Sequence, residues 1–243
     1  MKKAFLAFII LLISICCSAY PNDISQNIID NVKAFDSDAE YKSQCKLAWM
    51  NCLFFKSNDC VMYVDSVAEK PTLVLYTKTI DESREYKIYD EIKEAALDFL
   101  SEHAIDIKDC ILSEKTYDRG SSNKEYLFSW HKQNETGVQL PYRINIVVNN
   151  YGDVTELSVI DRPVEISLEP KISDDECLSK IKTKISDEDM ILKSKTTFVK
   201  IGMDGKQKLV KRFVFQKTIN TNDLIQADID AITREIIGIL RHQ

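Results

Sequence analysis

Thiols come first among the groups that could do chemistry. Cysteines stand at positions 45, 52, 60, 110 and 177, and an apolar leader holds two more, Cys16 and Cys17. A thiol can be a nucleophile, a metal ligand or half of a bridge, and spacing selects among these roles. No C-x-x-C occurs, which removes the usual zinc knuckle and the dithiol redox motif. Tyr41, Cys45, Ala48, Cys52 and Phe55 recur at helical spacing. On a helix Cys45 and Cys52 would share one face but stand about 10 Å apart, too far to bond each other. Cys60, reached through the turn Lys56-Ser57-Asn58-Asp59, is then the natural partner, so Cys52 with Cys60 is the candidate disulfide. The alternative is that all five are small buried apolar side chains.

The chain has three histidines, His103, His131 and His242, and none sits in a recognisable motif. His131 follows Trp130 at a strand end and could face a thiol as a Cys–His couple, against the plainer reading of a surface or turn histidine. His103 closes a helix, where a cation suits the dipole. Asp36, Asp38 and Glu40 resemble the start of a calcium loop, but its sixth position is Tyr41 and its twelfth Leu47, where Gly and Glu are required. Asp174-Asp175-Glu176 reads as a helix cap, and Asp187-Glu188-Asp189 as a solvated turn. There is no P-loop, G-x-G-x-x-G or H-E-x-x-H. Lys206, Lys208, Lys211 and Arg212 form a basic hairpin patch of the kind that guards a strand edge. Trp49, Phe54, Phe55 and Trp130 read as core, and Asn134-Glu135-Thr136 has the form of a glycosylation sequon. The expectation is a protein that is not an enzyme, with no catalytic, cofactor-binding or metal-binding residues.

Composition narrows the class further. Of 243 residues, 44% are hydrophobic and 29% charged, enough for an ordinary core. Lys plus Arg number 32 against 38 Asp plus Glu, a net charge of −6, which disfavours nucleic acid and anionic membrane surfaces. Six Gly and five Pro exclude a collagen-like or linker-rich chain.

At the N-terminus Lys2 and Lys3 precede an apolar run over residues 4–15, followed by Cys17-Ser18-Ala19. The run is shorter than the ~18 residues of a spanning helix, and its small residues suit signal peptidase, so cleavage is expected after Ala19. A lipid anchor is a lesser alternative, because Ile15 before Cys16 and Cys16 before Cys17 fit a lipoprotein signal poorly. The expected address is secreted or periplasmic, in a bacterial envelope.

Behind the leader, Ile24, Ile28, Ile29, Val32 and Phe35 mark an amphipathic helix, and a second short helix would carry Cys45 and Cys52. Residues from 61 and over 72–80 read as a β-hairpin turning at Glu69-Lys70-Pro71. From about residue 86 two stretches follow one programme of a helix and four strands. The first has a helix lined by Ile92, Ala95, Ala96, Phe99 and Leu100, then strands over 110–117, 126–131, 142–149 and 154–160. The second has Cys177, Leu178, Ile181 and Ile185, then strands over 191–201, 208–218, 224–229 and 236–240. The helices align at an offset of 82, pairing Ala95 with Cys177 and Phe99 with Ile181, and the turn at Gly152-Asp153-Val154 aligns with Arg234-Glu235-Ile236. Ser173 with Glu176 forms a capping box. The expected fold is α+β, two tandem units of one helix packed on an antiparallel meander behind a small helical and hairpin segment. The boundaries are 1–19, 20–85, 86–163 and 168–243.

The second stretch resembles a PepSY module, as found in propeptides of secreted metallopeptidases and in tandem (YcdB-type) in bacterial envelope proteins. The resemblance rests on Ile172-Ser173-x-x-Glu176-Cys177, the strand over 210–216, and Asp228-Ile229-Asp230-Ala231-Ile232-Thr233-Arg234-Glu235-Ile236. Arg234 stands where the family usually has Gly. The first stretch is similar through residues 126–130 and 146–154, with Asn149 in place of the Asp, and the N-terminal segment lies outside the resemblance unless it is a decayed third copy. The resemblance implies a binding or inhibitory module whose partner is a protein, such as a secreted peptidase. It transfers no inhibitory residue. The alternative function is a structural or assembly protein of the envelope with a disulfide-linked partner.

Overall fold

The structure, a computed structural model, describes residues 24–81, 83–118, 124–185, 190–217 and 223–242. The leader with its cleavage after Ala19, the turn at 119–123 and the acidic run 187–189 lie outside these residues.

A helix followed by four strands occurs three times along the chain. The first run is α1 (Gln26–Lys33), β1 (Glu40–Leu47), β2 (Met50–Lys56), β3 (Cys60–Asp65) and β4 (Pro71–Tyr76). The second is α2 (Tyr89–Glu102), β5 (Ile111–Asp118), β6 (Lys124–Gln133), β7 (Gln139–Asn149) and β8 (Val154–Asp161). The third is α3 (Asp174–Lys182), β9 (Met190–Ile201), β10 (Gln207–Lys217), β11 (Leu224–Asp230) and β12 (Ile236–His242).

The segment read as a helix carrying Cys45 and Cys52 is a hairpin. β1 and β2 are antiparallel, with Leu47 opposite Met50, Cys45 opposite Cys52 and Tyr41 opposite Phe55, and the chain reverses through Ala48 at φ 54°. Those residues looked helical because they are mirror images across a turn. Neither Ala48 nor Trp49 announces a turn, since neither is a Gly, Asn or Asp of the usual kind.

The expected fold class is also corrected. Twelve strands and three short helices make the described residues predominantly β, and the strands join mixed sheet rather than closing into tandem helix-on-meander units. The physical reason is edge pairing. A free-standing meander would leave β4 with open backbone groups, and here β8 covers that edge.

The chain forms two compact units. One comprises residues up to His131 together with Arg143–Asp161. Its strands run in the order β1-β2-β3-β4-β8-β7, with β6 pairing both β7 and β5. Thr72 Oγ1 donates to the Val159 carbonyl at 2.7 Å, tying β4 to β8 by a side chain as well. α1 buries Ile28 and Val32, and α2 buries Ile92, Ala96 and Leu100 along one stripe. The other unit comprises Lys132–Tyr142 and Arg162 onward. There β9-β10-β11-β12 is an antiparallel series, and the first residue of β7, Gln139, lies parallel to β9 at Phe198. Cys177 and Ile181 of α3 pack with Leu209, Phe213, Ile225 and Ile229 of this sheet.

The α3 capping box forms as its sequence suggests. Glu176 N–H donates to Ser173 Oγ at 3.2 Å, and Ser173 N–H donates to the Glu176 carboxylate at 2.9 Å. The buried stripes match Ile92 with Cys177, Ala96 with Ile181 and Leu100 with Ile185, so the offset of 82 does not hold for the helices.

Candidate functional site

No disulfide joins the five described cysteines. Cys52 lies opposite Asp65 at the far end of β3 from Cys60. Five strand residues separate the two positions by about 16 Å, far outside the reach of a bridge. The structure therefore does not bring the candidate pair together. Cys60 is instead part of a polar knot where β3 begins: its Sγ donates to Asp36 Oδ2 at 3.2 Å, and Ser57 Oγ donates to the same oxygen at 2.5 Å. Burial, then the Asp36 carboxylate, push the Cys60 thiol up to about 12. Burial opposes ionisation of Asp36, yet hydrogen bonds from Ser57, the Asp38 amide and Cys60 hold its carboxyl below the usual range. That carboxylate is thus engaged by its own chain, not poised as a calcium ligand. Burial also raises the thiols of Cys45 and Cys177, whereas Cys110 is half-buried.

The imidazoles are similarly committed to packing. His103 stacks on Phe35 at 4.1 Å between ring centres and touches Phe99 at 4.4 Å. Burial lowers its pKa, against Glu102 and a hydrogen bond to the Ala34 backbone. The expectation of a cation on the helix dipole is thereby replaced by a neutral stacking ring. His131 is buried in β6, its pKa lowered by burial and then by Arg143. Asn134 caps a turn, its Oδ1 accepting from the Thr136 hydroxyl and the Val138 amide.

Three turns share one construction. At the β3–β4 turn Asp65 Oδ1 accepts from the Val67 and Ala68 amides, the Asp65 carbonyl accepts from Glu69 N–H, and Glu69 sits at φ 57°. At the β11–β12 turn Asp230 Oδ1 accepts from the Ile232 and Thr233 amides, the Asp230 carbonyl accepts from Arg234 N–H, and Arg234 sits at φ 67°. The β7–β8 turn is tighter: Asn149 Oδ1 accepts from the Tyr151 and Asp153 amides, and Gly152 takes φ 84°. Arg234 therefore occupies the left-handed conformation that Gly is suited to hold. Each turn also holds the helical segment of its own run. Ser25 and Asn27 donate to the Glu69 carboxylate, Lys87 N–H to the Asn150 carbonyl, and Lys180 Nζ to the Arg234 carbonyl.

The basic hairpin patch is balanced by acids. Arg212 forks onto Asp228 with two bonds of 2.8 Å and lies over the Phe198 ring at 4.7 Å. Lys195 and Lys211 each contact Asp174 at 2.6 Å. Those two lysines hold the Asp174 carboxyl below the usual range. Lys211 and Arg212 of the patch are thus paired with acids, and Lys208 Nζ stands 3.9 Å from Asp230.

A cleft of about 710 Å³ opens in the first unit. Its walls are the segment after β4, with Lys78, Asp81 and Arg84, the outer side of α2, with Asp98 and Glu102, and the start of β8 with Asp153 and Thr155. Arg84 is ion-paired with Asp153 and lies over Tyr151 at 5.6 Å. No Cys, His or Ser lines it among the described residues. Sequence reasoning missed this cleft, because its residues follow no motif and converge only through the β4–β8 pairing.

No family model matches the chain, and no curated protein matches it. Among solved structures it is similar to the Bacillus megaterium YpeB C-terminal domain, with a TM-score of 0.53 and 18% identity over 92% of this chain and 100% of that one. A structure titled as a lipoprotein from Clostridium difficile 630 also matches, at a TM-score of 0.25 and 10% identity over 67% of this chain and 98% of that one. The likeness to the YpeB domain is one of fold.

Proposed function

We propose that the protein is an exported, non-enzymatic module that binds another protein of the envelope or medium, and that a secreted peptidase is the partner class to test first. The observation that carries this reading is the cleft beside α2, lined by Asp81, Asp98, Glu102 and Asp153 together with Lys78, Arg84 and apolar groups. Asp98 and Glu102 on its helical wall favour a basic or polar segment of a partner. The signal-like leader and the PepSY resemblance support the address.

The test is capture of proteins from the producing organism's envelope and medium on the intact chain and on an Asp98→Lys/Glu102→Lys variant. Peptidase activity is then titrated with each. A saturable partner lost with the variant supports the reading. Equal capture by both chains removes the cleft from it, and recovery of no partner removes the binding role.

One observation favours a second reading, a disulfide-linked assembly protein. Cys110 is half-buried while Cys45, Cys52, Cys60 and Cys177 are buried. A mass that doubles without reductant in the native chain, and not in Cys110→Ser, would establish it.

A further inference from the structure

The β1–β2 hairpin places together two thiols that the binding role does not use. Cys45 and Cys52 are direct cross-strand partners. Opposed residues of antiparallel strands have Cα atoms about 4.5–5.5 Å apart, inside the roughly 4.4–6.8 Å that a disulfide spans. Opposed residues also project to the same side of the sheet. Both side chains accordingly enter one buried cluster with Met50, Tyr63 and Leu73. The Tyr63 hydroxyl reports the same convergence: its pKa is raised by burial first, and then by both Cys45 and Cys52.

We propose that Cys45 and Cys52 form a cross-strand disulfide stapling β1 to β2, made by exchange with a disulfide oxidant in the compartment where the chain folds. Cys45, at 8% exposure against 1% for Cys52, is the thiol an oxidant reaches first. Its thiolate attacks one sulfur of the oxidant disulfide, forming a mixed disulfide and expelling one thiol. The Cys52 thiolate then attacks the Cys45 sulfur and expels the second thiol. Two electrons pass to the oxidant, and the two protons leave on the released thiols. Because both groups are buried once the hairpin is packed, the bridge closes during folding and only slowly afterwards.

The experiment refolds the full-length chain in oxidised and reduced glutathione, followed by a tryptic map without reductant. Cleavage after Lys42, Lys46 and Lys56 releases Cys45 and Cys52 on segments 43–46 and 47–56. The expected result is those two segments linked, two hydrogens lighter than their sum and separated by reduction. The link persists in Cys60→Ser and Cys110→Ser. Recovery of both segments alkylated, or of 47–56 linked to the segment 57–78 that carries Cys60, overturns the proposal. The map of the native chain decides this even if a Cys45→Ser or Cys52→Ser variant does not fold.

Discussion

Replacing Arg234 with glycine should stabilise the protein, although it removes a whole charged side chain. Arg234 holds φ 67° with its side chain exposed; its N–H donates to the Asp230 carbonyl and its carbonyl accepts from Lys180, while its guanidinium makes only a minor contribution to keeping the Glu176 carboxyl low, after the hydrogen bonds from Ser173. A non-glycine residue in this conformation costs about 1–2 kcal/mol. Glycine removes that strain but loses about 0.5–1 kcal/mol more chain entropy on folding. The net for Arg234→Gly is then a gain of roughly 0.5–1 kcal/mol, or a rise of about 2 °C in Tm for a chain of this size. Glu69→Gly relieves the same kind of strain at φ 57°, yet it deletes the carboxylate that accepts from Ser25 and Asn27. Losing these two charge-assisted bonds outweighs the relief, so a net loss of stability is expected there. Gly152→Ala should also lose about 1 kcal/mol, because φ is 84° and the new Cβ meets Lys87 Cδ at 2.7 Å. The assay is thermal and urea unfolding of the three variants followed by far-UV circular dichroism. A fall in Tm for Arg234→Gly, or a rise for Glu69→Gly, would refute the assignment of these positions to one turn design.

Other expectations follow from the same contacts. Ser173→Ala removes the hydroxyl that accepts from Glu176 N–H and should cost about 1 kcal/mol, read as a shift in the urea midpoint. His103 has a pKa below its unfolded value, so the unfolded chain takes up the proton more readily. The stability from burying the neutral ring is present above the unfolded value near ~6.5 and is lost as pH falls below it. His103→Phe, which keeps a ring against Phe35, should flatten the stability profile in that range; because His131 titrates in the same direction, part of the slope should survive. Alkylation of the folded chain in its fully reduced form at pH 8, followed by mass spectrometry, should label Cys110 first and Cys60 last, because burial and Asp36 push the Cys60 thiol up to about 12.

Much of the strand plan was legible in the residues themselves. The runs over 142–149 and 224–229 are β-branched and alternating, and they match β7 and β11 closely. The α3 start was legible because Ser173 and Glu176 act locally, within one helical turn. Two kinds of information were not local. Around Ala48 the hairpin lacks turn residues, so its mirror symmetry imitated a helix and led to the wrong cysteine pairing. The β4–β8 pairing joins Leu73 with Ser158 and Val74 with Leu157, and nothing near either segment names the other. The cleft depends on that pairing, so it too was invisible. The recurrence of the helix and four strands was plain in two stretches, and a decayed third copy was only the alternative reading of the N-terminal segment, where the structure has the same run. In the first run Asp65 and Glu69 form the closing turn without the Gly that marks it at Gly152.

The interleaving of the two units bears on how the chain can be made. A ribosome or an export channel releases β4 long before β8, so Leu73, Val74 and Leu75 wait with one side unpaired until the strand of Leu157 emerges. Contacts this remote in sequence close slowly. Meanwhile Lys132–Tyr142, released between the two, belongs to the other unit and must leave room for Arg143–Asp161 to return. No single cut therefore separates the units. A truncation after His131 exposes the flank of β4, and one that starts at Arg162 strips its unit of residues 132–142. Shortened versions should collect as aggregates, and the time between synthesis of β4 and arrival of β8 is the interval in which a holding chaperone would be needed.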